Sequence, residues 1–205
     1  MNKLKKKSFW QTNYWIAIVV VVIVSGWVMR QPIVWDFWMG LGYEPSLQAG
    51  EIRDDLDLTD KGKRIFAATR PEVEASENFN EHCDSHDTDI SLLGCYTEGR
   101  IYVYDITVDE IEAAKKVTMA HELLHAVWER MSEWERSDVE GMLEEVYKLN
   151  RAWFEEELAA YPEDEWMEEV YTRTGTKLEE LPEELEAHYA KIFKDRKKIV
   201  GFYQE

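Results

Sequence analysis

The spacing of hydrophobic and polar positions changes character twice along the chain. No formal charge occurs between Lys7 and Arg30, and from Tyr14 the chain reads YWIAIVVVVIVSGWVM. Counted from Ser8, at ~1.5 Å per helical residue, this stretch is long enough to cross a hydrocarbon core of roughly 30 Å. Tyr14 and Trp15 at one end, and Trp27 and Trp35 near the other, suit the two membrane interfaces. The β-branched run is a poor helix in water. In lipid the backbone must satisfy its own hydrogen bonds and becomes helical. Lys3, Lys5, Lys6 and Lys7 precede the run and belong on the cytoplasmic side. The pattern predicts a cytoplasmic basic tail over 1–7 and a single-pass transmembrane signal anchor over 8–30 in the cell membrane. Everything after the anchor would then lie outside the cytoplasm. Ser25-Gly26-Trp27 departs from the small-x-small pattern of a cleavage site, which favours an uncleaved anchor over a signal peptide.

Residues 31–56 carry no clear periodicity and hold Pro32, Gly40, Gly42 and Pro45. They read as a juxtamembrane linker, with Trp35, Phe37 and Trp38 at the membrane interface. From 57 to 205 the chain reads as a folded domain. LTDKGKRIFAAT forms a short helix capped by Thr59 and ended before Pro71. In SLLGCYTEGRIYVYDI, apolar β-formers flank Thr97-Glu98-Gly99-Arg100, which predicts a hairpin of Ser91–Tyr96 and Ile101–Ile106. A helix follows from about Asp109 to Arg130. Ser132-Glu133-Trp134-Glu135 has the form of a capping box, so another helix runs toward Ala160 until Pro162 breaks it. Gly175 marks a loop. Pro182 opens a final helix, PEELEAHYAKIFKDRKKIV, with acids first and bases last as the helix dipole prefers. The fold class is α+β, with an N-terminal transmembrane helix and a mostly helical domain holding a small antiparallel hairpin.

Composition narrows the function. The net charge of −18 excludes nucleic acid as a partner, because phosphate binding needs clustered Lys and Arg. Without its N-terminal lysines the chain is more acidic still, so the exported domain is expected to stand off an anionic lipid surface. Cys83 and Cys95 are the only cysteines, and in an exported domain they are expected to form a disulfide. A second metal site from His82, Cys83, His86 and Cys95 does not match the spacing of common zinc ribbons or fingers. No oligomeric state follows from the pattern.

The candidate chemistry lies in TMAHELLHAV, Thr118 to Val127. On a helix, His121 and His125 share one face about 5–6 Å apart and can reach one ion. Glu122 stands one step round, placed to take a proton from a water that the ion acidifies. The run from Thr118 to Val127 is uncharged apart from the motif itself, in a chain rich in charge, which implies burial. A buried histidine pair without a partner is costly, and a zinc ion answers that cost. The third ligand is open. On the last helix Glu186 shares an apolar face with Tyr189, Ala190 and Phe193, so its carboxylate points inward. Glu184 and His188 are alternatives, Glu179 and Glu180 stay in play, and Glu129 shares the histidine face one turn on. Tyr189 is either a donor to an oxyanion or core packing.

TMAHELLHAV resembles the zincin metallopeptidases, in which the positions around H-E-x-x-H are uncharged. The hairpin before the helix is similar to the zincin arrangement, where a strand edge binds substrate backbone. That resemblance implies a gluzincin-like site with a glutamate from a later helix as third ligand, hence zinc held by His121, His125 and Glu186, and Glu122 as catalytic base. The implied activity is zinc-dependent hydrolysis of peptide or protein substrates, with Ile101–Ile106 pairing with the substrate. More loosely, the stretch from LTDKGKRIFAATRP to LPEELEAHYAKIFKDR resembles small membrane-anchored bacterial proteins of uncharacterised function. Those relatives carry Gly-Thr-Glu where this chain has Gly175-Thr176-Lys177. Two other classes stay open: a tethered, non-catalytic zinc domain with four protein ligands, and a zinc-free interaction module docking through its acidic helices.

Overall fold

The computed structural model describes residues 9–29, 31–83, 93–105 and 112–204. It is mostly helical with one small sheet, in the order α1 (Phe9–Met29), α2 (Pro32–Gly40), α3 (Leu47–Asp55), α4 (Asp60–Thr69), β1 (Glu72–Glu74), α5 (Ser76–His82), β2 (Gly94–Thr97), β3 (Arg100–Tyr104), α6 (Glu112–Glu129), α7 (Glu133–Leu149), α8 (Arg151–Glu157), α9 (Trp166–Lys177), α10 (Glu183–Tyr189) and α11 (Arg196–Gln204). The α+β class is therefore observed. Among the described residues, no helix is long and apolar enough to cross a membrane. The basic tail 1–7 lies outside the described residues, as do Ser8 and Arg30 at the two ends of the expected anchor.

The core forms around α6. Its Met119, Ala120, Leu123, Leu124 and Ala126 are fully buried, and it packs against α9, α11, α4 and the sheet. Burial of this stripe supplies the main stabilisation, since each large apolar side chain removed from water contributes about 1.5–3 kcal/mol. Tyr171, Tyr189, Phe66, Phe154 and Phe193 fill the space between the helices. The N-cap at Ser132 is present: its hydroxyl accepts from the Glu135 N–H at 3.2 Å. Cys83 and Cys95 form the expected disulfide.

The hairpin exists, with a tight turn at Glu98 and Gly99, both at positive φ, as a two-residue connection requires. Ser91, Leu92 and Ile106, at the outer ends of the expected strands, lie outside the described residues. The strand order β1-β3-β2 corrects one expectation. β3 pairs with β1 in parallel on one side and with β2 antiparallel on the other. Both of its ladders are used, so Ile101–Tyr104 cannot receive a substrate strand. The open edge beside α6 belongs to β2. β1 is three residues long and carries no periodicity that a sequence could reveal.

The expected linker is folded. Pro32 opens α2, where the absent N–H costs nothing, and Ser46 caps α3 by accepting from the Ala49 N–H at 3.3 Å. The expected helix through Ala160 breaks at Asn150, whose amide donates to the Val146 carbonyl at 2.9 Å. The expected last helix is two helices. Leu58 bridges Phe193, and the Thr59 N–H donates to the Ile192 carbonyl at 2.9 Å. These long-range partners draw the backbone out of the helix.

Candidate metal centre

α6 presents His121 and His125 on one face, and α9 lies across them. What sets that approach is Gly175, which is helical in α9 rather than in a loop. A Cβ there would sit 2.5 Å from Leu124 Cδ1 and 2.7 Å from Tyr189 Cε1. The close approach carries Glu169, a turn and a half earlier on α9, to the histidine pair. Gly175→Ala is expected to cost about 1–3 kcal/mol by overpacking and to weaken metal binding together with stability. Urea unfolding and a zinc titration on the same protein read both.

On the opposite wall β2 runs over α6 at Gly94, where a Cβ would meet Thr118 Cγ2 at 2.4 Å and Glu122 Cγ at 3.2 Å. Strand and helix thus enclose a cleft of about 370 Å³ whose lining includes Tyr96, Glu122, Tyr161 and Glu168 besides the histidines and Glu169.

Three donors converge there, from His121, His125 and Glu169. The two Nε2 atoms are 3.2 Å apart. Glu169 oxygens lie 3.4 Å from His125 Nε2 and 3.6 Å from His121 Nε2. Donors held at 2.0–2.1 Å around a tetrahedral ion are spaced roughly 3.3 Å apart. The 3.4 Å contact is made by Glu169 Oε1 and the 3.6 Å contact by its Oε2, so the set suits a zinc-sized ion in chemistry, and its imidazole pair lies at the tetrahedral edge. His125 Nδ1 lies 2.7 Å from a Glu168 oxygen. A carboxylate only accepts, so Nδ1 donates and Nε2 is left as the atom that would ligate, the arrangement that orients ligating histidines. Arg173 contacts Glu169 and also pairs with Glu157 at 3.2 Å, and Lys177 reaches the same Glu157 oxygen at 2.6 Å.

Burial depresses the His121 pKa well below its ordinary value, and the nearby His125, Arg173 and Lys177 push the same way. His121 is thus neutral, as a ligand must be. Burial raises Glu122 to about 7, against the pull of His125, Arg173 and the Tyr96 backbone N–H. In the metal-free protein the signs oppose each other. Folded Glu122 keeps its proton longer than the unfolded chain does, so its contribution is favourable below pH 4.5 and is lost as pH rises to about 7. His121 instead disfavours the fold as pH drops below 6.5. Subtracting the Glu122→Gln variant removes the histidine effect. Wild-type stability is expected to fall relative to Glu122→Gln by on the order of 3 kcal/mol between pH 4.5 and 7, read by urea titrations with chelator present.

The other expected site residues lie elsewhere. Glu186 is not at the centre. Both its oxygens accept from Arg196 Nε, at 2.9 and 3.1 Å, and Arg196 also donates to the Leu178 and Glu179 carbonyls. That carboxylate is committed to a buried guanidinium on α11. Tyr189 is not at the centre either: its hydroxyl donates to the Tyr171 carbonyl at 2.7 Å, which is core packing. His188 is buried against the Tyr171 hydroxyl at 3.1 Å, and burial lowers its pKa to about 4. Glu184 is exposed. The common reason is that α10 packs on α7, whereas α6 packs on α9. Glu129 contacts Tyr96, away from the pair.

Glu169 was missed because WMEEVYTRTGTK reads as a polar stretch with a loop glycine. Its one signal is the i, i+4 pairing with Arg173, joined to the Trp166–Val170 spacing of a helix face. Comparison with protein-family models, curated proteins and solved structures finds no match for this chain.

Proposed function

We propose that the chain is a membrane-anchored, zinc-dependent metallopeptidase that hydrolyses peptide bonds outside the cytoplasm. One observation carries the reading: two imidazoles and a carboxylate with donors within 4.8 Å of one another, a buried carboxylate beside them and an open strand edge across the cleft. His121, His125 and Glu169 would hold the ion, with Glu168 fixing the His125 tautomer. A bound zinc supplies Lewis acidity, polarising a carbonyl and making a water more acidic. Glu122, held up at about 7, is matched to accept that water's proton near neutral pH and pass it to the departing amine. β2 would pair with an extended substrate and so align its backbone past Glu122. The anchor rests on α1, whose Ile16 and Val19 to Val24 are exposed and whose 21 residues carry no charge.

The full chain in detergent, loaded with zinc and offered a quenched-fluorescence peptide library, is expected to cleave in a manner abolished by chelation and restored by zinc. Absence of cleavage with zinc bound would favour the tethered, non-catalytic zinc domain. The zinc-free interaction module has its own support, because Arg173 gives Glu169 a partner without any metal. It requires that the chain bind no zinc.

A further inference from the structure

α2 is built inside out. Its one acid, Asp36, is buried and pairs with Arg130 at the end of α6 at 2.7 Å. Gly40, one turn on, faces inward too, where a Cβ would meet Ala67 Cβ at 3.0 Å. The opposite face is apolar and points outward. Ile33, Trp35, Phe37 and Trp38, with Leu41 just beyond the helix, are each more than half exposed. A surface helix normally buries its apolar stripe. One that exposes it while locking its acid to the domain marks an interaction face.

Two observations identify the occupant. α2 follows directly on α1 and touches it, so the patch continues the exposed apolar surface of α1. It is also flanked by cations in an otherwise acidic protein. Lys61 and Arg64 of α4 line a cleft together with Pro32 and Ile33. Arg70 donates to the Met39 carbonyl at 3.0 Å at the other end of α2. Among the described residues Lys61, Arg64 and Arg70 form no ion pair. Glu135, on the far wall of the cleft, lies 4.0 Å from Lys191.

We propose that α2 lies in the headgroup layer of an anionic phospholipid bilayer, its outward face in lipid and Lys61, Arg64 and Arg70 on the phosphates. Tryptophans suit that depth, and each basic side chain near an anionic surface adds attraction. Net charge predicts a domain that stands off such a surface; Lys61, Arg64 and Arg70 beside α2 would oppose that locally, against Glu98, Glu129 and Glu135 in the neighbouring groove. Because Asp36–Arg130 ties α2 to α6, the bilayer would also fix the orientation of the metal centre. Trp35 and Met39 line a groove of about 1120 Å³ that reaches Tyr96 at the rim of the metal cleft, so the site would open close to the lipid.

The inference rests on the anchor reading only for bringing the chain to a bilayer, and the test separates the two. The full chain has no free cysteine among the described residues, so a nitroxide can be placed through Phe37→Cys, with Leu149→Cys as an exposed reference on α7. Each is reconstituted in phosphatidylcholine vesicles with and without phosphatidylglycerol. Position 37 is expected to favour oxygen over a water-soluble nickel complex several-fold more than position 149. Adding Lys61→Glu and Arg64→Glu should reduce that preference in the anionic vesicles only. Salt-resistant flotation with position 37 as nickel-accessible as position 149 would keep the anchor and overturn the docking. Flotation that salt reverses, with position 37 in lipid, would keep the docking and overturn the anchor. Absence of flotation on either vesicle would overturn both. Dipolar broadening between nitroxides at position 37 would show a second copy of the chain on this face and overturn the lipid assignment.

Discussion

Glu122→Gln is expected to lower peptide hydrolysis by about two to four orders of magnitude, the usual contribution of a positioned general base, while leaving zinc content unchanged. Glutamine keeps the shape and cannot take a proton. Glu122 is 7% exposed and borders the cleft rather than belonging to the His121–His125–Glu169 set, so the ion should stay. The same variant separates base from ligand. A loss of zinc together with activity would show that Glu122 acts on the metal and not on the water. The stability–pH difference described for the metal-free protein gives a third readout of this one carboxylate, and it does not depend on turnover.

The largest loss of stability is expected from Arg130→Ala, at about 3–5 kcal/mol. Asp36 is 5% exposed, and the Arg130 guanidinium is its partner at 2.7 Å. Arg130 also donates to the Ala126 carbonyl at 2.8 Å and the Tyr96 hydroxyl at 3.1 Å. Truncation would strand a buried carboxylate and release the cleft rim together with α2. Replacing both partners by leucine is expected to recover most of the stability, since an apolar pair leaves no uncompensated charge. Chemical unfolding of the two variants separates these cases. A loss below about 1 kcal/mol in Arg130→Ala would mean that α2 is not held by this pair.

The histidine pair was legible because its information is local. Positions four apart on a helix share a face, and the uncharged neighbours of His121 and His125 announce burial. Thr59 and Ser132 were legible as caps for the same reason, a side chain answering a backbone N–H three residues on. What escaped depends on distant parts of the chain. Gly175 reads as a loop until Leu124 and Tyr189 are seen to leave no room for a Cβ. Glu186 reads as inward-facing on its own helix, but its side chain is 36% exposed and pairs with the buried Arg196 of α11. Asp36 inverts α2 because its partner is 94 residues away, and no local periodicity reports that. The carboxylate that the fold brings beside the histidine pair is Glu169 of α9, one helix before the Glu186 that the sequence suggests.

The central claim is that His121, His125 and Glu169 hold one zinc ion. The direct measurement is zinc per chain in the purified full-length protein after zinc-replete expression, for wild type, His125→Ala, Glu169→Ala and Glu186→Ala. One zinc in wild type and in Glu186→Ala, with none in the other two, is the result predicted here. A wild type without zinc, or a Glu169→Ala protein that still holds it, would contradict the site.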